Sequence, residues 1–195
     1  MDDSGVTCIR LAPVVYALLS KLFVRAGRTL AIVADDGQAT LDGGGSVGPM
    51  LTSLEGADVV LANLRLRNGN GTHCCGGAIY NEGTMTMQAC AFDGNNVDYG
   101  GAVYNWKGTM EMHACTFDGN RAEQDGGAVY NYQGTMMEMQ ACAFDRNHAK
   151  QHGGAVYNYD STMAVHGCNF TNCSAEVLLL PRSAISLRRH PRLSF

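Results

Sequence analysis

The sequence predicts an all-β solenoid, a single-stranded parallel β-helix of about six or seven coils. Three observations support this fold class: a hexapeptide that recurs four times, a second motif that follows each copy, and alternation of apolar and polar residues within both motifs. A repeat of this length indicates a solenoid, in which each coil buries its apolar face against its neighbours. Alternation with a period of two indicates strands rather than helices.

The hexapeptide supplies one strand of each coil. It reads Gly-Gly-Ala-Val-Tyr-Asn, with Ile for Val in the first copy, and the copies begin 24, 26 and 27 residues apart, at Gly76, Gly100, Gly126 and Gly153. Alternation places Val103 and Asn105 on one face of the strand and Tyr104 on the other. Stacked coils then predict one ladder of Val or Ile at 79, 103, 129 and 156, and one of Asn at 81, 105, 131 and 158, with steps of about 4.8 Å.

The second motif contributes two more strands. In its second copy, Met110 and Met112 share one parity, whereas Cys115 and Phe117 share the other. This break of parity predicts a corner near Ala114, where the chain turns so that both pairs point inward. Four further ladders follow: Met or Val at 87, 112, 139 and 165, Cys at 90, 115, 142 and 168, Phe at 92, 117, 144 and 170, and Asn at 95, 120 and 147.

A weaker form of the pattern upstream sets the expected domain bounds. We expect an opening coil or cap over residues 1–29, a parallel β-helix over 30–174, and a basic C-terminal extension or disordered tail over 175–195. The apolar run at 11–23 follows an acidic start and is interrupted by Pro13 and Lys21. We therefore predict neither a signal peptide nor a transmembrane segment there.

Composition excludes one class of partner, and it does not decide whether the cysteines form disulfides. The 195 residues are 46% hydrophobic and 16% charged, which argues against disorder. Residues 76–173 carry four Lys or Arg against ten Asp or Glu, so we expect no nucleic-acid partner. Four of the eight Cys fall in one ladder, as small buried side chains do. Disulfides remain the alternative, and the redox compartment is undecided.

Together, the two motifs carry a family resemblance over about residues 30–173. The Gly-Gly-Ala-Val or Gly-Gly-Ala-Ile segments alternate with Phe-x-x-Asn at Phe92, Phe117 and Phe144, whereas the copy at Phe170 ends in Cys173. This arrangement resembles the polymorphic outer-membrane protein repeat. The resemblance implies a right-handed parallel β-helix of the pectin-lyase-like superfamily, a handedness that agrees with the general preference for right-handed crossovers. It also implies a secreted, cell-surface or outer-membrane protein, often an adhesin passenger.

One candidate site is a row of carboxylates. Asp93, Asp118 and Asp145 occupy the same place in successive coils, and such a row offers oxygen ligands for Ca²⁺ or acid–base pairs for polysaccharide cleavage. A plain turn role is the alternative, because Asp favours tight turns. A polysaccharide lyase or hydrolase of the pectin-lyase-like type is therefore the alternative function. We assign no catalytic residue and expect no other cofactor.

The other candidate site is aromatic. Tyr104 and Tyr130 lie opposite the inward Val, and Trp106, Tyr132 and Tyr159 occupy the position two residues further on. Such rows stack on sugar rings or fill protein interfaces, although cross-strand stacking within the sheet is the alternative. We therefore predict a non-enzymatic, adhesin-like protein that binds a glycan or protein along this sheet face. Strand edges also permit edge-to-edge self-association.

Overall fold

The computed structural model describes residues 6–71 and 74–176, which form a parallel β-helix of about six turns. Every strand pairs in parallel with the equivalent strand of a neighbouring coil, and the described residues contain no helix. The predicted all-β, parallel β-helix fold is thereby confirmed. The tail predicted for 175–195 lies outside the described residues from 177 onward.

The strands fall into four sheets, here named A to D. Sheet A consists of Val6–Leu11, Thr29–Ala34, Asp58–Ala62, Thr84–Gln88, Thr109–His113, Met136–Gln140 and Met163–His166. Sheet B consists of Val15–Ala17, Ala39–Asp42, Leu64–Arg67, Ala91–Asp93, Thr116–Asp118, Ala143–Asp145 and Asn169–Thr171. Sheet C consists of Leu22–Val24, Leu51–Ser53, Ile79–Asn81, Val103–Trp106, Val129–Tyr132 and Val156–Tyr159. Sheet D consists of Asn96–Tyr99, Arg121–Asp125, His148–Ala149 and Ser174–Ala175.

The fourth sheet differs from the three strands per coil that the sequence predicts. Early coils run through sheets A, B and C, and later coils insert a sheet D strand between B and C. In the coil before the first sheet D strand, two isolated β-bridges pair with that strand, one from Asn70 to Asn96 and one from Cys75 to Tyr99. Its strands vary in length and are mostly polar, so they carry no repeated signal for sequence analysis to detect.

The corner between sheets A and B lies where the break of parity predicts it. Ala114 joins the two sheets in a left-handed conformation with φ 51°. Its counterparts in other coils are also left-handed: Asn63, Ala89, Ala141 and Gly167. A single residue of this kind reverses the side-chain parity, so Met112 before it and Cys115 after it both point into the core, where each is 0% exposed.

The predicted ladders form the core. Val103 pairs in register with Ile79 and Val129, and Met112 pairs with Met87 and Met139. Phe rings at 92, 117, 144 and 170 stack nearly parallel, with centroids 4.7, 4.6 and 4.8 Å apart. Burial of these side chains, complete except at the partly buried Phe170, supplies the main stabilisation of the fold, at about 1.5–3 kcal/mol for each fully buried large residue.

The cysteine ladder is also internal and reduced. Cys90, Cys115 and Cys142 are buried free thiols, and the thiol of Cys115 donates to the backbone carbonyl of His113, with 3.5 Å between sulfur and oxygen. A hydrogen bond with Cys115 raises the pKa of Cys142 to about 11. These three residues therefore serve as small core side chains, whereas the adjacent Cys74 and Cys75 form a disulfide.

Two buried ladders of Asn side chains run along the solenoid. In sheet C, the Nδ2 of each Asn donates to the Oδ1 of the Asn one coil later, at 2.7 Å from Asn81, 2.8 Å from Asn105 and 2.7 Å from Asn131. In the second ladder, Asn95 donates to Asn120 at 2.9 Å, and Asn120 donates to Asn147 at 3.0 Å. Both ladders also bind backbone carbonyl groups, which fixes the turns that surround them.

The start of the first ladder predicts a stabilising substitution. Ser53 pairs with Asn81 in sheet C, and within the described residues the buried Ser53 Oγ and Asn81 Oδ1 have no hydrogen-bond partner. Ser53→Asn should extend the ladder by one amide, and we expect it to raise the free energy of unfolding by about 1 kcal/mol in urea denaturation.

Ser53→Ala is the matched control for this substitution. It removes one unpaired hydroxyl but leaves the Asn81 carbonyl oxygen without a donor, so its gain in stability should be smaller. A Ser53→Asn variant that is less stable than Ser53→Ala would contradict the proposed extension.

Candidate ligand-binding face

A cluster of aromatic side chains covers the outer side of sheet C and is here named the aromatic face. Its members belong to four consecutive coils: Tyr80, Tyr99, Tyr104, Trp106, Tyr130, Tyr132, Tyr157 and Tyr159. Tyr80, Tyr104, Tyr130 and Tyr157 pair in register along one column, and Trp106, Tyr132 and Tyr159 pair along the next. Since alternate strand positions face opposite sides, both columns lie outside the core.

The middle of the first column forms a buried base. Tyr104 is only 9% exposed and Tyr130 only 6%. Tyr132 packs against both rings, with centroids 6.5 Å from Tyr104 and 5.8 Å from Tyr130, and Tyr99 of sheet D lies 5.7 Å from Tyr130. Burial raises the pKa of Tyr104 to about 12. Tyr104 and Tyr130 therefore support the face from beneath.

The second column forms the outer layer. Trp106 and Tyr132 are partly exposed, and Tyr159 is 46% exposed. The rings of Tyr132 and Tyr159 stack 5.4 Å apart with an interplanar angle of 8°. The Trp106 ring meets Tyr80 edge-on at 6.2 Å, and the Lys107 ammonium lies 5.2 Å from the Trp106 centroid. A ligand can reach these three rings, and it can also reach the partly exposed rings of Tyr80 and Tyr157 at the ends of the first column.

Polar groups hold the margins of the aromatic face. The Tyr80 hydroxyl donates to Glu82 at 3.0 Å, and the Tyr99 hydroxyl donates to Gln124 at 2.6 Å. On another margin, His152 lies 2.7 Å from the Asp125 carboxylate, and its ring stacks on Tyr157 at 5.2 Å. Ring stacking and hydrogen bonds therefore order the base before any ligand binds.

The carboxylate row is engaged by neighbouring donors. Asp93 accepts from Arg65 at 2.5 Å, and Asp118 accepts from Arg146 at 2.9 Å. Asp145 accepts from Thr171 and Asn172, each at 2.9 Å. These bonds to Asn172 and Thr171 lower the pKa of Asp145. The three carboxylates thus pair with cationic or polar side chains on the outer surface of sheet B.

Within residues 6–71 and 74–176, no three His, Cys, Asp or Glu side chains are placed together so as to hold a metal ion. Over the same ranges there is no helix with the length and apolar character needed to cross a membrane.

Sequence reasoning missed three residues that shape the aromatic face. Tyr99 and His152 lie outside both repeated motifs, so their places depend on sheet D, which has no sequence signature. Lys107 follows Trp106, whereas in the preceding coil Gly83 follows Glu82 directly. This extra residue contributes to the change of period from 24 to 26, and the change of period is the signal that could have located it.

Comparison with known proteins identifies the repeat. A sequence-family model of the Chlamydia polymorphic membrane protein repeat matches residues 114–132. This stretch includes Phe117 and Asn120 of one motif and the hexapeptide that begins at Gly126. Neither the curated proteins nor the solved structures gave a significant match. The chain therefore carries this repeat on a parallel β-helix, and the repeat suggests a surface or outer-membrane protein.

Proposed function

We propose that the protein is a non-enzymatic, adhesin-like β-helix that binds a glycan at the cell surface through the aromatic face. The observation that supports this most strongly is the outer layer, in which Trp106, Tyr132 and Tyr159 present one ring per coil in register. Flat aromatic rings pack against the apolar C–H faces of sugar rings. The repeat supports the surface location, because its relatives are named as membrane proteins.

The composition of the face favours a glycan over a protein ligand. The centre of a protein interface is depleted of charged residues and packs a wide apolar area. Here the accessible rings form a narrow row, and charged or polar residues follow each ring directly in the sequence, at Lys107, Gln133 and Asp160. Sites for small polar ligands combine aromatic walls with a few placed polar groups, and the aromatic face has this arrangement.

The preformed base supports binding without rearrangement. Tyr104 and Tyr130 are fixed by neighbouring rings, so the outer layer rests on an ordered surface. A site that is ordered before binding loses less conformational entropy when the ligand arrives. Weak individual contacts can then add up along several coils.

A printed array of defined oligosaccharides tests this proposal. We expect the wild-type protein to bind a subset of the array, and we expect Trp106→Ala and Tyr159→Ala each to weaken that binding by about tenfold or more, since aromatic stacking contributes roughly 0.5–1.5 kcal/mol beyond the buried area. Phe23→Ala is the matched control, because Phe23 is an exposed aromatic residue of sheet C, 62% exposed, in the first coil. That variant should bind as the wild type does.

A second assay separates glycan from protein ligands. Immobilised mucin is probed before and after mild periodate oxidation, which destroys sugar rings and leaves the polypeptide intact. Binding that disappears after periodate supports the proposal. Binding that survives periodate but disappears after protease treatment would identify a protein ligand instead, and an absence of binding to both array and mucin would overturn the proposed function.

A further inference from the structure

We propose that Lys107, Gln133 and Asp160 form a hydrogen-bonding row beside the aromatic face, and that the ligand is an extended neutral oligosaccharide lying along the solenoid axis. This inference rests on the proposed function and assigns ligand class and specificity residues to the same site. The row contributes one polar side chain per coil, and each one directly follows a ring of the outer layer: Trp106, Tyr132 or Tyr159.

The backbone holds this row in register. The amide of Lys107 donates to the carbonyl oxygen of Tyr132 at 3.0 Å, and the amide of Gln133 donates to that of Tyr159 at 3.0 Å. The three side chains are exposed. They therefore project from equivalent points of successive coils, about 4.8 Å apart, beside the stacked rings.

The conformation of these residues is costly for their residue types. Lys107, Gln133 and Asp160 have φ angles of 60°, 51° and 49°, in the left-handed region that side chains with a Cβ disfavour. Other left-handed positions carry glycine, as at Gly94 and Gly119, or alanine, asparagine and Arg146. Residues held in such conformations cluster at functional sites. Three consecutive coils place a long or charged left-handed residue at this one position, directly beside an accessible aromatic row, and this points to a role in ligand contact.

The dimensions and chemistry of the row fit a sugar chain. One coil advances by about 4.8 Å, which is close to the length that one pyranose adds to an extended β-1,4-linked chain, so each sugar can meet one ring and one polar side chain. A sugar hydroxyl both donates and accepts hydrogen bonds. The row offers a donor at Lys107, both functions at Gln133 and an acceptor at Asp160. The positive charge of Lys107 at one end of the row balances the negative charge of Asp160 at the other. This balance favours an uncharged sugar chain.

Titration calorimetry with chitohexaose and cellohexaose tests the inference. Lys107→Gly, Gln133→Gly and Asp160→Gly should each weaken binding by about three- to tenfold, the loss expected for one hydrogen bond. Each variant should also melt at a higher temperature than the wild type, because glycine relieves the left-handed backbone. A purely structural role would not produce this combination of weaker binding and greater stability.

Ala114→Gly is the matched control, since Ala114 is left-handed but lies at the corner between sheets A and B. It should melt at a higher temperature than the wild type and bind both hexasaccharides with unchanged affinity.

If Trp106→Ala loses binding while all three glycine variants bind as the wild type does, the polar row is wrong and the proposed function stands. Chitobiose that binds as tightly as chitohexaose overturns the extended ligand. Wild-type protein that binds array glycans but neither hexasaccharide overturns the neutral, extended class, and binding to no glycan at all overturns the proposed function itself.

Discussion

Asn120→Ala is expected to lower the free energy of unfolding by about 4 kcal/mol. Asn120 is 1% exposed, and its side chain takes part in four hydrogen bonds. Its Nδ2 donates to the carbonyl oxygen of Phe92 at 2.9 Å and to Asn147 at 3.0 Å, and its Oδ1 accepts from the backbone and side-chain amides of Asn95 at 3.1 and 2.9 Å. Alanine removes all four bonds and leaves the buried backbone amide of Asn95 without its acceptor, at about 1–3 kcal/mol for an unsatisfied group. Asn95 Nδ2 keeps its bond to Leu66 and Asn147 Oδ1 keeps its bond from the Asn120 backbone, so the sum is less than additive.

Urea denaturation followed by circular dichroism measures this loss. Asn169→Ala is the matched control: Asn169 is an exposed sheet B residue whose partner one coil earlier is already Ala143. That variant should change stability by less than about 0.5 kcal/mol. Equal midpoints for the two variants would show that the buried amide ladder contributes nothing particular to the fold.

Gly101→Ala is expected to lower the free energy of unfolding by about 3 kcal/mol or more. The second glycine of the hexapeptide packs directly against the next coil. A methyl group at Gly101 would lie inside van der Waals distance of the carbonyl oxygen of Gly127 and 2.6 Å from that of Arg121. Both obstacles are backbone atoms, so relief requires the coils to separate, and overpacking of this kind commonly costs about 1–3 kcal/mol or more.

Gly119→Ala is the matched control, because it makes the same change of residue type without the steric clash expected at Gly101. Gly119 is left-handed at φ 60°, but an added methyl group there would meet no atom within 4 Å. This variant should lose only about 1–2 kcal/mol of the free energy of unfolding, which is the cost of an alanine in the left-handed conformation. Thermal melting compares the two variants, and a Gly119→Ala variant less stable than Gly101→Ala would contradict the steric explanation for the paired glycines.

The periodic parts of the fold could be predicted from sequence because each coil repeats the same physical requirement. Met112, Cys115 and Phe117 reveal the corner at Ala114, since only a change of direction lets both parities face one core. The same reasoning places Asn105 and Asn120 in ladders. Strand alternation and stacking are sufficient for these predictions, because both depend only on neighbours at fixed positions along the chain.

The parts that could not be predicted depend on contacts without a fixed period. The burial of Tyr104 and Tyr130 arises from Tyr132 folding over them and from Tyr99 approaching from sheet D. Strand alternation reports which side of a sheet a residue occupies, and it does not report what covers that side. The ion pair between Arg65 and Asp93 joins different motif positions of adjacent coils, so it also leaves no repeated trace.

The direction of the asparagine ladders has a consequence for how the chain assembles. In sheet C, Asn81, Asn105 and Asn131 each donate toward the coil that follows them in the sequence. A partly formed solenoid therefore ends in a buried amide donor that only the next coil can satisfy, so its growing end is a template for the next coil. The ribosome releases the N-terminal coils first. Synthesis and templating therefore proceed in the same direction along the chain. We expect assembly to advance coil by coil, with every added turn correcting the register of the one that follows.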